Sequence, residues 1–220
     1  VSGLDCFLLS PYYSDEACDG ALRLAVNQDI PNYGGPEVAR SAASGVGHLF
    51  ANQVGLSAQQ IAIQDGDRQL TYSDLDKRVR QLARVLQMRG VGRGDRIAFL
   101  GLNSPDMLVL MFACARIGAV LVPLNWRLAV PELTVLMDDC TPRALIFGAE
   151  FGDAAAALAH QQPGLKLVAV DGAAGEQRDY QRDLADTAPD LSAHPDKDAD
   201  TPWYLLYTSG TTGKPKGVIQ

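Results

Sequence analysis

Apolar residues recur along the chain in two alternating patterns, one typical of strands and one typical of helices. Leu75, Val79, Leu82 and Leu86 follow one another at steps of four, three and four, which places them on one face of a helix. The apolar run at residues 96–100 is instead short and continuous, which is typical of a strand. Patterns of these two kinds alternate from about residue 60 to residue 170.

The alternation predicts the following elements. Strands are expected at residues 60–64, 69–72, 96–100, 119–122, 144–147, 165–170 and 203–208. Helices are expected at residues 46–54, 131–137 and 151–159. Two more are marked by their ends: one begins at an N-cap signal at residues 73–76 and ends at Gly90, and the other begins at residues 103–105. Short strands separated by amphipathic helices favour an α/β fold with a mostly parallel sheet flanked by helices.

The chain divides into two parts at about residue 45. Residues 1–45 lack clear periodicity and contain several turn formers, so we interpret them as an irregular N-terminal extension. Residues 46–220 read as one domain, within which residues 171–200 are poor in apolar side chains and form a surface excursion or linker. The first residue is Val1 rather than Met, and the last four are apolar in character, so we expect the chain to be a fragment.

Composition excludes several classes of protein. Hydrophobic residues make up 47% of the chain, which is enough to bury a core. The net charge is −7 without a basic cluster, which argues against binding of nucleic acid. The first 20 residues are acidic and lack the basic start of a signal peptide, so the cytoplasm is the expected compartment.

One segment is apolar enough to raise the possibility of a membrane span. Residues 107–124 contain a single charge and are close to the shortest length that crosses a bilayer. Gly118 interrupts this run and Pro123 lies near its end, so we interpret it as a helix followed by a buried strand. No transmembrane segment is expected.

Metal sites and disulfides are also disfavoured. The four cysteines do not form a C-x-x-C pair and have no nearby His at ligand spacing, so buried or idle thiols are expected. The cysteines are Cys6, Cys18, Cys114 and Cys140. His48, His160 and His194 lie far apart in the sequence, and surface or packing roles are expected for them. Asp138 and Asp139 are interpreted as an exposed helix end rather than a metal site.

The strongest chemical signal is the segment Tyr207–Gly217, with the sequence Y-T-S-G-T-T-G-K-P-K-G. Its glycines let the backbone approach a ligand closely, its hydroxyls can donate to phosphate oxygens, and its lysines add positive charge. We therefore predict a polyphosphate-binding loop. The candidate binding residues are Thr208, Ser209, Gly210, Thr211, Thr212, Gly213, Lys214 and Lys216.

This loop differs from the Walker A motif, G-x-x-x-x-G-K-[ST], in which a helix follows the lysine. Here Pro215 follows Lys214, and Gly210 stands only three residues before Gly213. A P-loop NTPase is therefore disfavoured. We expect a turn between two strands, without a helix N-terminus to assist phosphate binding.

Residues 207–217 resemble the signature loop of the adenylate-forming (AMP-binding) superfamily. Weaker resemblances lie upstream, in the family's order, at residues 71–75, 92–97, 103–106 and 118–125. The segment Val122–Arg127 is similar to that of acyl-CoA synthetases, including fatty-acid–CoA ligases, although Asn125 serves equally well as the cap of a turn. The resemblance implies that the chain is the N-terminal portion of an AMP-binding domain, truncated after the phosphate loop.

The resemblance also implies an activity. Such enzymes join a carboxylate to ATP with Mg²⁺, release pyrophosphate, and pass the acyl group to a thiol such as coenzyme A. The family's adenine, ribose and metal sites and its catalytic lysine follow this loop, so no catalytic residue is assigned and the 220 residues alone are expected to be inactive. Two alternatives stay open: an adenylation domain that loads a carrier protein, and a non-catalytic truncated homologue that acts as a binding module.

Overall fold

The computed structural model describes residues 23–24, 45–170, 184, 186–189, 200–208 and 215–220. Most of the predicted N-terminal extension at 1–45 and most of the predicted linker at 171–200 lie outside these residues. The helices are α1 (Val46–Ser57), α2 (Tyr72–Met88), α3 (Pro105–Ile117), α4 (Val130–Cys140) and α5 (Gly152–Gln161). The strands are β1 (Arg23–Leu24), β2 (Ile61–Asp65), β3 (Arg68–Thr71), β4 (Arg96–Leu100), β5 (Val120–Leu124), β6 (Ala144–Phe147), β7 (Lys166–Ala169), β8 (Leu205–Thr208) and β9 (Lys216–Ile219).

Two helix starts show how local sequence sets the element boundaries. At α2, Thr71 Oγ1 accepts from the Asp74 amide at 3.1 Å, and Asp74 Oδ2 accepts from the Thr71 amide at 3.2 Å. This reciprocal capping box starts the helix at Tyr72, two residues before the position that the sequence suggested. At α3, Ser104 caps the helix and Pro105 opens it, as predicted.

A parallel sheet forms the centre of the fold. Its four strands lie in the order β5-β4-β6-β7, and every neighbouring pair is parallel. The bounds of β4 and β6 agree with the prediction from the sequence. Strands β1, β2 and β3 form a separate antiparallel sheet, in which β2 and β3 are the strand pair predicted around residues 65–67. The predicted α/β class is confirmed.

Two hydrophobic cores cover the two faces of the parallel sheet. Successive residues of a strand point to opposite faces, so Ile97 and Phe99 belong to one core and Ala98 and Leu100 to the other. The first core contains residues of α1, α2 and α3, and the second contains residues of α4 and α5. Helices therefore flank the sheet on both sides.

The apolar run at residues 107–124 forms most of α3 followed by β5, as predicted. Gly118 separates the two elements in the left-handed conformation, with φ 68°. Within the described ranges, no helix combines the length and the apolar character that a bilayer crossing requires.

The antiparallel pair β8–β9 attaches to the parallel sheet beside β5. The Leu121 amide donates to the Trp203 carbonyl at 2.9 Å, and Leu121 forms a parallel bridge with Tyr204. The Trp203 amide donates to the Gln220 carbonyl at 3.0 Å, which closes the base of the pair. This attachment places β8 and β9, and with them the two ends of the predicted phosphate loop, on the β5 side of the sheet.

Candidate functional site

The described part of the candidate site is the mouth of the predicted phosphate loop. Thr208 ends β8 and Lys216 begins β9, and these two residues pair across the hairpin. Thr208 Oγ1 donates to the Lys216 carbonyl at 3.5 Å. The structure therefore brings together two of the predicted site residues. The other six lie outside the described residues: Ser209, Gly210, Thr211, Thr212, Gly213 and Lys214.

Strands flank the loop on both sides, as the sequence predicted. Residues 209–215 connect Thr208 to Lys216, and paired strands lie about 5 Å apart. The two ends of the loop are therefore held close together. The chain continues from Lys216 as a strand rather than a helix, which separates this loop from the Walker A arrangement.

Gly217 leaves space between the two strands for the side chains of Leu205 and Tyr207. Gly217 pairs with Tyr207, and a Cβ atom at position 217 would lie 2.9 Å from Leu205 Cδ1 and 3.4 Å from the Tyr207 ring. The absence of a side chain lets the ring of Tyr207 lie against the backbone of β9. A side chain at this position would require Leu205 to shift, whereas the Tyr207 ring could stay in contact with it.

Tyr207 links the hairpin to the second core. Leu205 and Tyr207, two residues apart on one face of β8, both pack against this core. The Tyr207 hydroxyl donates to Asp139 Oδ2 in the last turn of α4. Burial and this hydrogen bond raise the pKa of Tyr207, so the hydroxyl stays protonated and remains a donor.

The end of α4 that receives this hydrogen bond is itself held in place. Arg96, the first residue of β4, donates from Nε to the Cys140 carbonyl at 2.8 Å and from Nη2 to Thr141 Oγ1 at 2.8 Å. Asp138 and Asp139 are both exposed, which confirms the predicted helix end. The sequence missed the role of Asp139 as the acceptor for Tyr207, because 68 residues separate the two and no local pattern joins them.

The described thiols are buried and free, as expected. Burial raises the pKa of Cys114 to about 12 and that of Cys140 to about 11. Cys6, Cys18 and His194 lie outside the described residues. The described part of the chain contains no group of three or more His, Cys, Asp or Glu side chains placed to hold a metal ion.

A second polar group follows β5. Asn125 Oδ1 accepts from the Arg127 amide at 3.1 Å, so Asn125 caps the turn that leaves the strand. The Arg127 guanidinium carbon lies 4.5 Å from the centre of the Trp126 ring. The turn-capping interpretation of Asn125 is therefore confirmed.

Comparison with known proteins identifies the family of the chain. Residues 50–220 match the family model described as AMP-binding enzyme. The chain belongs to this family. An indoleacetate–CoA ligase of Aromatoleum aromaticum is 39% identical to this AMP-binding chain over 165 residues, covering 75% of the chain and 32% of that protein.

Two further relatives of the AMP-binding chain bear on its function. A fatty acid–[acyl-carrier-protein] ligase of Streptomyces coeruleorubidus is 38% identical, covering 69% of the chain and 28% of that protein. The structure of a Mycobacterium tuberculosis fatty acyl CoA synthetase superposes with a TM-score of 0.69 at 27% identity, covering 80% of the chain and 34% of that structure. The chain thus spans about a third of the length of its relatives.

Proposed function

We propose that the whole protein activates a carboxylic acid with ATP as an acyl-adenylate and then transfers the acyl group to coenzyme A. The observation that carries this proposal is the hydroxyl-, glycine- and lysine-rich segment between β8 and β9, whose ends Thr208 and Lys216 are paired. Membership in the AMP-binding family and relatives named CoA ligases support it. The cytoplasm, where ATP and coenzyme A are available, is the proposed compartment.

The proposed role of the loop is to hold the triphosphate of ATP. The hydroxyls of Thr208, Ser209, Thr211 and Thr212 donate to phosphate oxygens, while Gly210 and Gly213 let the backbone approach them. Lys214 supplies charge-assisted hydrogen bonds, and Lys216 supports it from the mouth of the loop.

The nucleotide substrate would bring Mg²⁺ with it. Mg²⁺ prefers oxygen ligands and is commonly held by substrate phosphates together with one or two carboxylates. When bound, it would neutralise charge on the phosphate oxygens. A substrate carboxylate is already ionised at neutral pH and needs no general base to act as a nucleophile.

The proposal also concerns the part of the relatives' sequence that this chain does not cover. Because the 220 residues span about a third of the relatives' length, we infer that turnover requires the other two thirds that the relatives have. The 220 residues in isolation are expected not to catalyse adenylation. The domain assigned to residues 46–220 is accordingly proposed as the N-terminal portion of the AMP-binding domain.

A second acceptor is favoured by one observation. The fatty acid–[acyl-carrier-protein] ligase is 38% identical, close to the 39% of the indoleacetate–CoA ligase. A carrier-protein thiol is therefore the alternative acceptor to coenzyme A. Incubating the adenylating protein with each acceptor and detecting the thioester by mass distinguishes the two.

The test of the proposal is exchange of labelled pyrophosphate into ATP by the whole protein. The carboxylates offered are those in the names of four relatives: indoleacetate, ferulate, 3-hydroxybenzoate and a fatty acid. We expect exchange that depends on at least one carboxylate. Lys214→Ala is expected to lower kcat/KM for ATP about tenfold or more, since it removes a charge-assisted contact. Lys77→Ala, on the exposed side of α2, is the matched control and should have no effect. Exchange independent of carboxylate, or equal in Lys214→Ala, would contradict the proposal.

A further inference from the structure

The entry strand of the phosphate loop is bonded to a helix that is distant in sequence. Tyr207 directly precedes Thr208, the first residue of the predicted loop, and its hydroxyl donates to Asp139 Oδ2 at the end of α4. Its ring packs against the second core. Packing therefore holds the ring of Tyr207, and a hydrogen bond holds its hydroxyl.

The helical turn that carries the acceptor is held in place, although the Asp139 side chain itself is exposed. Arg96 in β4 binds the Cys140 carbonyl and Thr141 Oγ1, so the last turn of α4 is bonded to the central sheet. The side chain of Met137, one turn earlier, is fully buried in the second core. A continuous series of contacts thus runs from β4 through α4 to Tyr207 in β8.

Helix formation does not explain the carboxylate at position 139. The C-terminal end of a helix carries partial negative charge, which disfavours Asp in the last turn. The helix already ends at Thr141, whose φ of 42° lies in the left-handed region and whose amide donates to the Met137 carbonyl. Among the described residues, the hydrogen bond from Tyr207 is the interaction that offsets the unfavourable position of Asp139.

We infer that Asp139 is a positioning residue for Thr208, at the entry to the phosphate loop, and that it acts through the Tyr207 hydroxyl. This inference rests on the proposed function. Because Thr208 follows Tyr207 directly, fixing Tyr207 also fixes Thr208 before ATP binds, which lowers the conformational entropy that binding costs. Asp139 therefore acts on ATP affinity and not on the carboxylate substrate.

The inference is tested on the whole protein with variants that remove or preserve this one bond. Tyr207→Phe and Asp139→Ala remove it, and each is expected to raise the KM for ATP about fivefold, the effect of one net hydrogen bond. The double variant should show no larger effect, since both changes remove the same contact. Asp139→Asn keeps an acceptor oxygen and should stay within about twofold of the wild type.

The neighbouring residue provides a matched control. Asp138 lies beside Asp139 in the last turn of α4, and its Oδ1 accepts from Gln162 Nε2 at 3.0 Å. This hydrogen bond does not involve the β8–β9 hairpin. Asp138→Ala should leave the KM for ATP unchanged, and none of these variants should change the KM for the carboxylate. An unchanged KM for ATP in Tyr207→Phe and Asp139→Ala, or an equal increase in Asp138→Ala, would overturn the inference.

A second readout separates this inference from the proposed function. If the wild type shows no carboxylate-dependent pyrophosphate exchange, the proposed function fails, and deuterium exchange of the amides of β8, residues 205–208, is compared without nucleotide. Faster exchange in Tyr207→Phe and Asp139→Ala than in the wild type and Asp138→Ala supports the positioning role. Equal rates in all four proteins would overturn it.

Discussion

The contact between α1 and α3 leaves no room for a side chain at Gly47. A Cβ atom there would lie 2.9 Å from the Ala115 carbonyl oxygen, 3.1 Å from its carbon and 3.2 Å from the Arg116 Cα. All three are backbone atoms, so the neighbouring helix cannot relieve the overlap by rotating a side chain. Gly47→Ala must therefore separate the two helices or distort one of them.

The expected size of this effect follows from two opposing contributions. Overpacking costs about 1–3 kcal/mol. Replacing glycine by alanine in a helix gains at most about 1 kcal/mol, and less in the first turn, where Gly47 lies. We expect Gly47→Ala to lower the free energy of unfolding by about 1–2 kcal/mol.

Gly55, in the same helix, is the matched control. It is exposed, and a Cβ atom added there meets nothing within 4 Å. Gly55→Ala should raise the free energy of unfolding by about 0.5–1 kcal/mol. Urea unfolding followed by circular dichroism measures both variants. Changes of the same sign, or a stabilised Gly47→Ala, would refute the packing of α1 on α3.

Other predictions concern the start of α2 and the buried thiols. Thr71→Ala removes a cap and should cost about 1 kcal/mol in urea unfolding; no loss would contradict the capping box. The hydrogen bonds with Thr71 lower the pKa of Asp74, so the ionised carboxylate stabilises the folded state. This contribution to the free energy of unfolding is fully present at pH values above the usual pKa of Asp, and it declines as the pH falls through the folded-state pKa. At pH 8, peptide mass spectrometry should show Cys114 and Cys140 essentially unalkylated by iodoacetamide in the native protein; rapid labelling would contradict their burial.

The sequence predicted the elements of the sheet well, because continuous apolar runs bounded by polar residues mark buried strands. Residues 96–100 and 144–147 agree with β4 and β6 residue for residue. Boundaries were less accurate where tertiary contacts decide them. A strand was predicted at residues 203–208, but β8 begins only at Leu205. The backbone of Trp203 instead forms hydrogen bonds with two different segments, at Leu121 and at Gln220.

The candidate site was predicted by its chemistry, but its surroundings were not. Hydroxyls, glycines and lysines in a fixed order identify the loop from local sequence. The bond between Tyr207 and Asp139 depends on the placement of the β8–β9 hairpin beside β5, and periodicity gives no information on strand order. Asp139 could therefore be recognised as an exposed helix end but not as a partner of the loop.

The most direct test of the proposed chemistry follows an oxygen atom. The whole protein is incubated with ATP, coenzyme A and a substrate carboxylate labelled with ¹⁸O in both oxygens, and the nucleotide product is analysed by mass spectrometry. Attack of the carboxylate on the α-phosphorus followed by thioester formation leaves one labelled oxygen in AMP. We expect AMP that carries one ¹⁸O atom. Unlabelled AMP, or ADP together with labelled phosphate, would contradict activation through an acyl-adenylate.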